Sequence, residues 1–90
     1  MARIRKLVLD VLKPHHPNAL TFAASLADLG TDYKVILTVV EVDEKTETIS
    51  LTLEGSDIQF DGIIESIEQM GASMHSIDEV EVDSRAEHAE

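Results

Sequence analysis

The stretch YKVILTVVEVDEKTETISLTLEG, residues 33–55, holds the strongest strand signal of the chain. Its first ten residues are rich in β-branched side chains, which favour extended backbone over helix. A polar turn, residues 43–46, leads into a second segment in which every other side chain is apolar, at Ile49, Leu51 and Leu53. Such alternation is typical of a strand with one buried face. Two strands joined by a short polar turn predict a β-hairpin.

Upstream of the hairpin, the sequence predicts a strand followed by a helix. The segment from Ile4 to Leu12 has the apolar character of a strand, and the PHHP corner at residues 14–17 ends it, because each proline restricts its own backbone and that of its predecessor. We expect the helix to run from about Asn18 to Leu29, with His16 at its N-cap and Gly30 at its end. Its apolar face is expected at Phe22, Leu26 and Leu29.

Downstream of the hairpin, a second helix and a last strand are predicted. Ser56 opens the motif SDIQ, which matches a capping box, and Gly71 stands where the helix should stop. Gly62 lies inside this helix, which suggests that a neighbour packs closely against it. The last strand is expected at residues 73–82. The helix has one apolar stripe, at Phe60, Ile63, Ile64, Ile67 and Met70.

The resulting order is strand, helix, strand, strand, helix, strand, which predicts an α+β fold, the ferredoxin-like βαββαβ plait. It is a four-stranded antiparallel sheet with two helices on one face. We expect one domain over residues 1–83 and a polar C-terminal tail over residues 84–90. In this topology the first and last strands pair antiparallel, which would bring opposite charges together. These are Arg3, Arg5 and Lys6 on one strand and Glu79, Glu81 and Asp83 on the other.

Charge and composition limit the function classes. The net charge is −11, and residues 46–90 hold one base, Arg85, against twelve acids. Such an acidic protein repels nucleic acid and anionic membranes, so neither is an expected partner. The chain has no cysteine, which excludes disulfides and thiolate metal sites. No stretch approaches the about 18 apolar residues of a membrane span, and no secretory cleavage pattern follows the first strand, so we expect a cytoplasmic protein.

Apolar residues on the sheet face opposite the helices predict self-association. Strand alternation puts Ile4, Val8 and Leu12 on that face, and the second strand adds further apolar side chains there, at Ile36, Val40 and Val42. Because exposed apolar surface of this kind usually marks a partner, we expect a homo-oligomer.

The chemically interesting residues are expected at one edge of the sheet. Asp10 is a carboxylate inside an apolar strand, and the edge would also collect His15, His16, Glu54 and His75. Imidazole and carboxylate together suit a divalent transition metal, so Asp10, His15 and His75 are candidate metal ligands. In the alternative, Asp10 binds the loop backbone, His16 caps the helix and His75 is an ordinary strand residue. No catalytic or cofactor-binding residue is assigned, and a divalent cation is the candidate cofactor.

Three segments resemble a known family: LVLDVLKPHHP at residues 7–17, DEKTETISLTLEG at residues 43–55 and GASMHSIDEVEV at residues 71–82. In this order they are similar to archaeal domain-of-unknown-function family number 211. The resemblance implies a ferredoxin-like fold, ring or higher assemblies and no assigned activity. It transfers no catalytic residues.

Together these observations favour a non-enzymatic oligomeric module that binds a small ligand or a cation at subunit junctions, or serves as a scaffold. Two alternatives stay open. One is a divalent-metal-dependent enzyme that uses the Asp10, His15 and His75 edge, and the other is an acidic protein that docks a basic partner.

Overall fold

The computed structural model describes residues 1–85 of the chain. Its elements follow the predicted order, β-α-β-β-α-β, and the four strands form one antiparallel sheet in the order β2-β3-β1-β4. The predicted ferredoxin-like plait is therefore confirmed. The elements are β1 (Arg3–Pro14), α1 (Ala19–Ala27), β2 (Lys34–Val42), β3 (Thr46–Glu54), α2 (Phe60–Gln69) and β4 (Ser73–Asp83).

The two central strands supply the core. Three pairs of side chains lie directly opposite one another on the side that the helices cover, here called the helix side, and all six are buried. Each buried Leu or Ile stabilises the fold by about 1.5–3 kcal/mol relative to an exposed one. The pairs are Leu7 with Leu53, Leu9 with Leu51 and Val11 with Ile49. The helices close this layer with Phe22, Leu26, Ile63 and Ile67.

Helix α1 differs from the prediction at both ends. Its N-cap is Asn18, whose side-chain oxygen accepts a hydrogen bond from the Thr21 backbone N–H at 2.9 Å, so the prediction that His16 caps it is wrong. Its last residue is Ala27, which leaves Leu29 outside the helix and 48% exposed.

Helix α2 begins three residues later than the capping box predicted, with Gln59 and not Ser56 as its N-cap. Before the helix starts, the chain runs beside β1: the Ile58 backbone N–H donates to the Ile4 carbonyl at 2.9 Å, and the Ser56 N–H donates to the Asp32 carboxylate at 3.2 Å. These bonds hold residues 56–58 outside the helix. Gly71 ends it as predicted, with a φ of 85° that favours glycine. A Cβ atom on Gly62 would meet nothing within 4 Å, so the predicted close neighbour is absent.

The predicted charge pairs between β1 and β4 are confirmed. The Arg5 guanidinium lies 3.1 Å from the Asp83 carboxylate, and the Lys6 ammonium lies 3.2 Å from Glu79. The pairing is interrupted by three β-bulges, in which one strand carries an extra residue. The extra residues are Arg5 on β1 and His75 and Asp78 on β4.

The bulge at Arg5 corrects one predicted orientation. Ile4 packs against the core instead of lying on the uncovered sheet face, here called the open side. Register shifts of this kind reverse the alternation of side chains beyond them. Val8 and Leu12 do lie on the open side, but both are half-buried, and their row neighbours on β3 are threonines. Most of the large apolar side chains that are about half exposed or more lie instead on the two edge strands, β2 and β4.

Within residues 1–85, no helix is long and apolar enough to cross a membrane.

Candidate functional site

The end of β1 carries a buried lysine. Lys13 continues the alternation that places Leu7, Leu9 and Val11 in the core, and its side chain is fully buried. Its ammonium donates to the carbonyls of Pro14 and Pro17, each at 2.7 Å, and lies 3.1 Å from a carboxylate oxygen of Glu47. A buried charge is tolerated when it is paired and its donors are satisfied. Lys13 meets this condition because its three N–H groups have three acceptors.

Glu47 owes its position to the same alternation on β3. It lies directly opposite Lys13 and precedes Ile49, Leu51 and Leu53 on the helix side. The Lys13 ammonium also lies 5.8 Å from the centre of the Phe22 ring of α1, within the range of a cation–π interaction. A charged pair therefore closes one end of an otherwise aliphatic core.

His15 joins this pair through both of its ring nitrogens. Nδ1 lies 3.1 Å from the second carboxylate oxygen of Glu47, and Nε2 lies 2.9 Å from the carbonyl oxygen of Glu44 in the turn between β2 and β3. Both partners are acceptors, so both contacts are hydrogen bonds only when the imidazole carries two protons. The bond to Glu47 is the main cause that raises the pKa of His15 above 6.5, and the bond to Glu44 adds to it. The same His15 bond, followed by that of Lys13, lowers the pKa of Glu47.

We call Lys13, His15 and Glu47 the corner cluster. Through Lys13 it holds the PHHP corner against the core, and through His15 it holds the turn of the hairpin against that corner. The peptide bond between His16 and Pro17 within the corner is cis. The cluster thus joins β1, β3, the hairpin turn and the segment that leads into α1. Its contacts stabilise the fold.

The three predicted metal ligands occupy separate environments. Asp10 lies on the open side, between Ser50 of β3 and Ser76 of β4. His15 is in the corner cluster, and His75 is an exposed bulge residue of β4. Within residues 1–85, no group of three or more His, Cys, Asp or Glu side chains is arranged to hold a metal ion.

Glu54 and His16 were also predicted at this edge of the sheet, and neither joins the corner cluster. Glu54 lies opposite Lys6, near the beginning of β1, and therefore at the far end of the sheet from the corner. The physical reason is that β3 runs antiparallel to β1, so the beginning of β3, and not its end, meets the end of β1. His16 is exposed.

Lys13 and Glu47 were missed by the sequence analysis, although a signal for both existed. Each lies two residues from a core position, so the alternation that assigned Val11 and Ile49 to the core extends to them. A charged residue at such a position is usually assigned to the surface. Opposite charges at matching positions of two adjacent core strands would have indicated a buried pair.

The two edge strands form a second candidate site. On β4 the helix-side residues Ile77, Val80 and Val82 are about half exposed, and α2 makes few contacts with this strand. On β2, Val39, Val40 and Val42 are at least 43% exposed. Within residues 1–85, each outer strand of the sheet therefore presents apolar side chains beside a backbone edge that pairs with no further strand, which is typical of a surface that pairs with another chain.

Comparison with known proteins identifies relatives of the whole fold. The sequence model of a family described as uncharacterised ArCR matches residues 5–86. The uncharacterised protein MJ0319 of Methanocaldococcus jannaschii is 46% identical over 80 residues, which are 89% of this chain and 82% of that protein. The matched region includes β1 from Arg5 onward, the corner cluster and both edge strands.

Proposed function

Since the chain belongs to the uncharacterised ArCR family, domain-of-unknown-function family 211, we propose its function from the geometry of its own residues. It is a non-enzymatic, homo-oligomeric module that serves as a scaffold or binds a small ligand or a cation where subunits meet. The family assignment agrees with the resemblance of the three sequence segments.

The observation that carries this proposal is the exposure of apolar side chains on both outer strands. Val40 and Val42 of β2 are 64% and 63% exposed, and Val80 of β4 is 53% exposed. Monomers usually protect edge strands by covering them, shortening them or charging them. β4 has eleven residues, and although it carries four acids, its apolar side chains Ile77, Val80 and Val82 stay about half exposed. Association with further copies would remove this surface from water, which favours assembly.

The corner cluster supports a non-catalytic role. A general base needs a free ring nitrogen within reach of a substrate, whereas both ring nitrogens of His15 are held by Glu47 and Glu44. A nucleophilic lysine needs an accessible amine, whereas the Lys13 ammonium is fully buried with three acceptors. Both side chains stabilise the fold through these bonds.

The metal-dependent alternative requires that His15 lose one of its two hydrogen bonds. His15 would have to release Glu47 or Glu44 before it could bind a metal ion, because a ligating nitrogen cannot also donate a hydrogen bond. Elemental analysis of untagged protein tests this alternative. One tightly held divalent metal per chain, lost on chelation and absent from Asp10→Asn, would favour the enzyme over the scaffold.

The test of the proposal itself is the mass of the protein in solution. We expect sedimentation velocity at micromolar protein to give particles of several times the 9.9 kDa protomer mass. Apolar association should persist in about 0.5 M salt, where exposed charge pairs are screened. A 9.9 kDa species at every concentration up to the highest that dissolves would refute the proposal.

A further inference from the structure

A cavity of about 440 Å³ lies between the start of β1 and the start of α2. Two segments of the chain line it, residues 1–4 and residues 57–61. The hydrogen bond from the Ile58 backbone N–H to the Ile4 carbonyl, at 2.9 Å, joins these segments. Small-molecule sites have volumes of roughly 300–1,000 Å³, so the cavity is large enough for one small molecule.

Arg3 supplies the cationic group of this cavity. Asp83 lies opposite Arg3 on β4 but pairs with Arg5 and Arg85 instead. Within residues 1–85 the Arg3 side chain makes no ion pair, and its hydrogen bond goes to the backbone carbonyl of Arg85 at 3.0 Å. A guanidinium has five N–H donors in one plane, so this bond orients Arg3 and leaves donors for a carboxylate.

Asp57 and Asp61 supply the anionic groups, from the second of the two lining segments. Both residues are exposed, and in the described part of the chain neither carboxylate takes part in a hydrogen bond or an ion pair. Arg3 therefore shares the cavity with both carboxylates but pairs with neither. Unpaired charges of both signs around one cavity are complementary to a molecule that carries both an anionic and a cationic group.

Apolar side chains form the remaining surface of the cavity. Ile58 belongs to the core and is 2% exposed, while Ile4 and Phe60 are half-buried and pack against that core. Small-molecule sites combine such an apolar lining with a few polar groups that fix the orientation of the ligand. The lining of this cavity therefore suits a small zwitterion with an apolar substituent.

From this arrangement we infer that the cavity binds a free α-amino acid with an apolar side chain. Arg3 binds its carboxylate, Asp57 and Asp61 bind its ammonium group, and its side chain packs against Ile58 and Phe60. The site lies within one protomer, so the inference goes beyond the proposed function and does not depend on self-association.

The charges of the cavity also exclude related ligands. A dicarboxylate would place a second negative charge beside Asp57 and Asp61, and a diamine would place a positive charge beside Arg3. A residue inside a peptide chain has neither a free carboxylate nor a free ammonium group on its backbone. The site should therefore select the free amino acid.

Saturation-transfer NMR on L-leucine and L-phenylalanine tests the inference. The observed signals are those of the small molecule, so the measurement does not depend on the size of the protein assembly. We expect saturation to reach the leucine methyl groups or the phenylalanine ring. Leucine amide lacks the carboxylate and N-acetyl-leucine lacks the ammonium group, so each should bind at least about 10-fold more weakly than leucine.

Two variants assign the charges of the ligand to the residues of the cavity. Arg3→Gln should weaken leucine binding at least about 10-fold, and so should Asp57→Asn/Asp61→Asn. In Arg3→Gln, leucine and leucine amide should bind alike, because the group that distinguishes them is gone. A purely structural role of Arg3 would weaken both ligands equally and keep their ratio.

Matched controls remove the same charges elsewhere. Lys45→Gln removes a positive charge from the hairpin turn, and Glu65→Gln/Glu68→Gln removes two negative charges from exposed positions of α2. None of these three residues lines the cavity, so both controls should keep the wild-type affinity. Circular dichroism verifies that every variant is folded.

Each contrary result overturns the inference. These results are no saturation transfer from the wild type at up to about 10 mM of either amino acid, equal binding of leucine and leucine amide to the wild type, or equal losses in the controls. The mass in solution tests the proposed function separately. An oligomer that binds neither amino acid refutes only this inference, and a monomer that binds leucine as described refutes only the proposed self-association.

Discussion

Removing the carboxylate of Glu47 should destabilise the protein more than removing an exposed charged side chain does. The variant Glu47→Ala leaves the Lys13 ammonium inside the core with two carbonyl acceptors and no anion. Breaking a buried ion pair by removing one partner costs about 3–5 kcal/mol. Because the Glu47 side chain is 18% exposed and water can partly replace it, we expect a loss near the lower end, about 3 kcal/mol.

Such a loss is a large part of the total, since a domain of this size is stable by about 5–15 kcal/mol. Urea unfolding followed by circular dichroism, at equal protomer concentration for every variant, measures it. The control is Glu54→Ala, on the same strand at the far end of the sheet, where Glu54 is half-buried opposite Lys6. We expect that change to cost at most about 1 kcal/mol.

A second variant tests the mechanism of the loss. In Lys13→Met/Glu47→Ala no buried charge is left without a partner, although the carbonyls of Pro14 and Pro17 lose a donor. We expect the double variant to be less destabilised than the sum of the two single changes, because replacing both partners avoids the isolated charge. If Glu47→Ala costs less than about 1 kcal/mol, or if the two changes simply add, then Lys13 does not depend on Glu47 and the assigned role of the pair is wrong.

Three further predictions concern His15, the two glycines in and after α2, and the N-cap of α1. His15 has a raised pKa in the folded protein, so its stabilising bonds are fully present below pH 6.5 and are lost as the pH rises through the folded-state pKa. The melting temperature of the wild type should therefore exceed that of His15→Gln most at low pH. A difference in melting temperature that does not change with pH would contradict this. Gly62→Ala should raise the free energy of unfolding by up to about 1 kcal/mol, since a Cβ atom there meets nothing within 4 Å. Gly71→Ala should lower the free energy of unfolding by about 1–2 kcal/mol, because the backbone of Gly71 has a positive φ. Equal effects of the two changes in urea titrations would refute both predictions. Asn18→Ala should cost about 1 kcal/mol through loss of the cap to Thr21, and Asn18→Ser should restore most of it.

The fold could be predicted because its elements have complete sequence signals. The alternation around Leu51 and the turn at residues 43–46 specify the hairpin, and the charges of Arg5 and Asp83 are matched across the first and last strands. Local propensity and binary pattern agree in these segments, which is the condition under which sequence analysis succeeds.

The errors occurred where long-range contacts outweigh local signals. Ser56 has the sequence of a helix cap, but the hydrogen bond from Ile58 to Ile4 of β1 keeps that segment extended. Ile4 was assigned to the wrong face because a bulge at Arg5 adds a residue to one strand only. Neither the partner of a backbone N–H nor the position of a bulge is encoded in the spacing of apolar residues.

The corner cluster also bears on how the register of the sheet is specified. Among residues 1–85 the buried side chains are apolar apart from Lys13, and next to Lys13 and Glu47 the helix side of β1 and β3 is aliphatic. A shift of β3 by two residues along β1 would keep every apolar side chain on the helix side, so the apolar pattern alone does not prevent it.

The same shift would move Glu47 away from Lys13 and leave a buried ammonium without its anion, at a cost of several kcal/mol. The ion pair therefore selects one register among several that the aliphatic core would accept. A row of alternating charges crosses the sheet as Lys34, Glu54, Lys6 and Glu81, and it exists only in that register. An ion pair buried at one end of the sheet thus also specifies the alignment of the charged side chains at the other end.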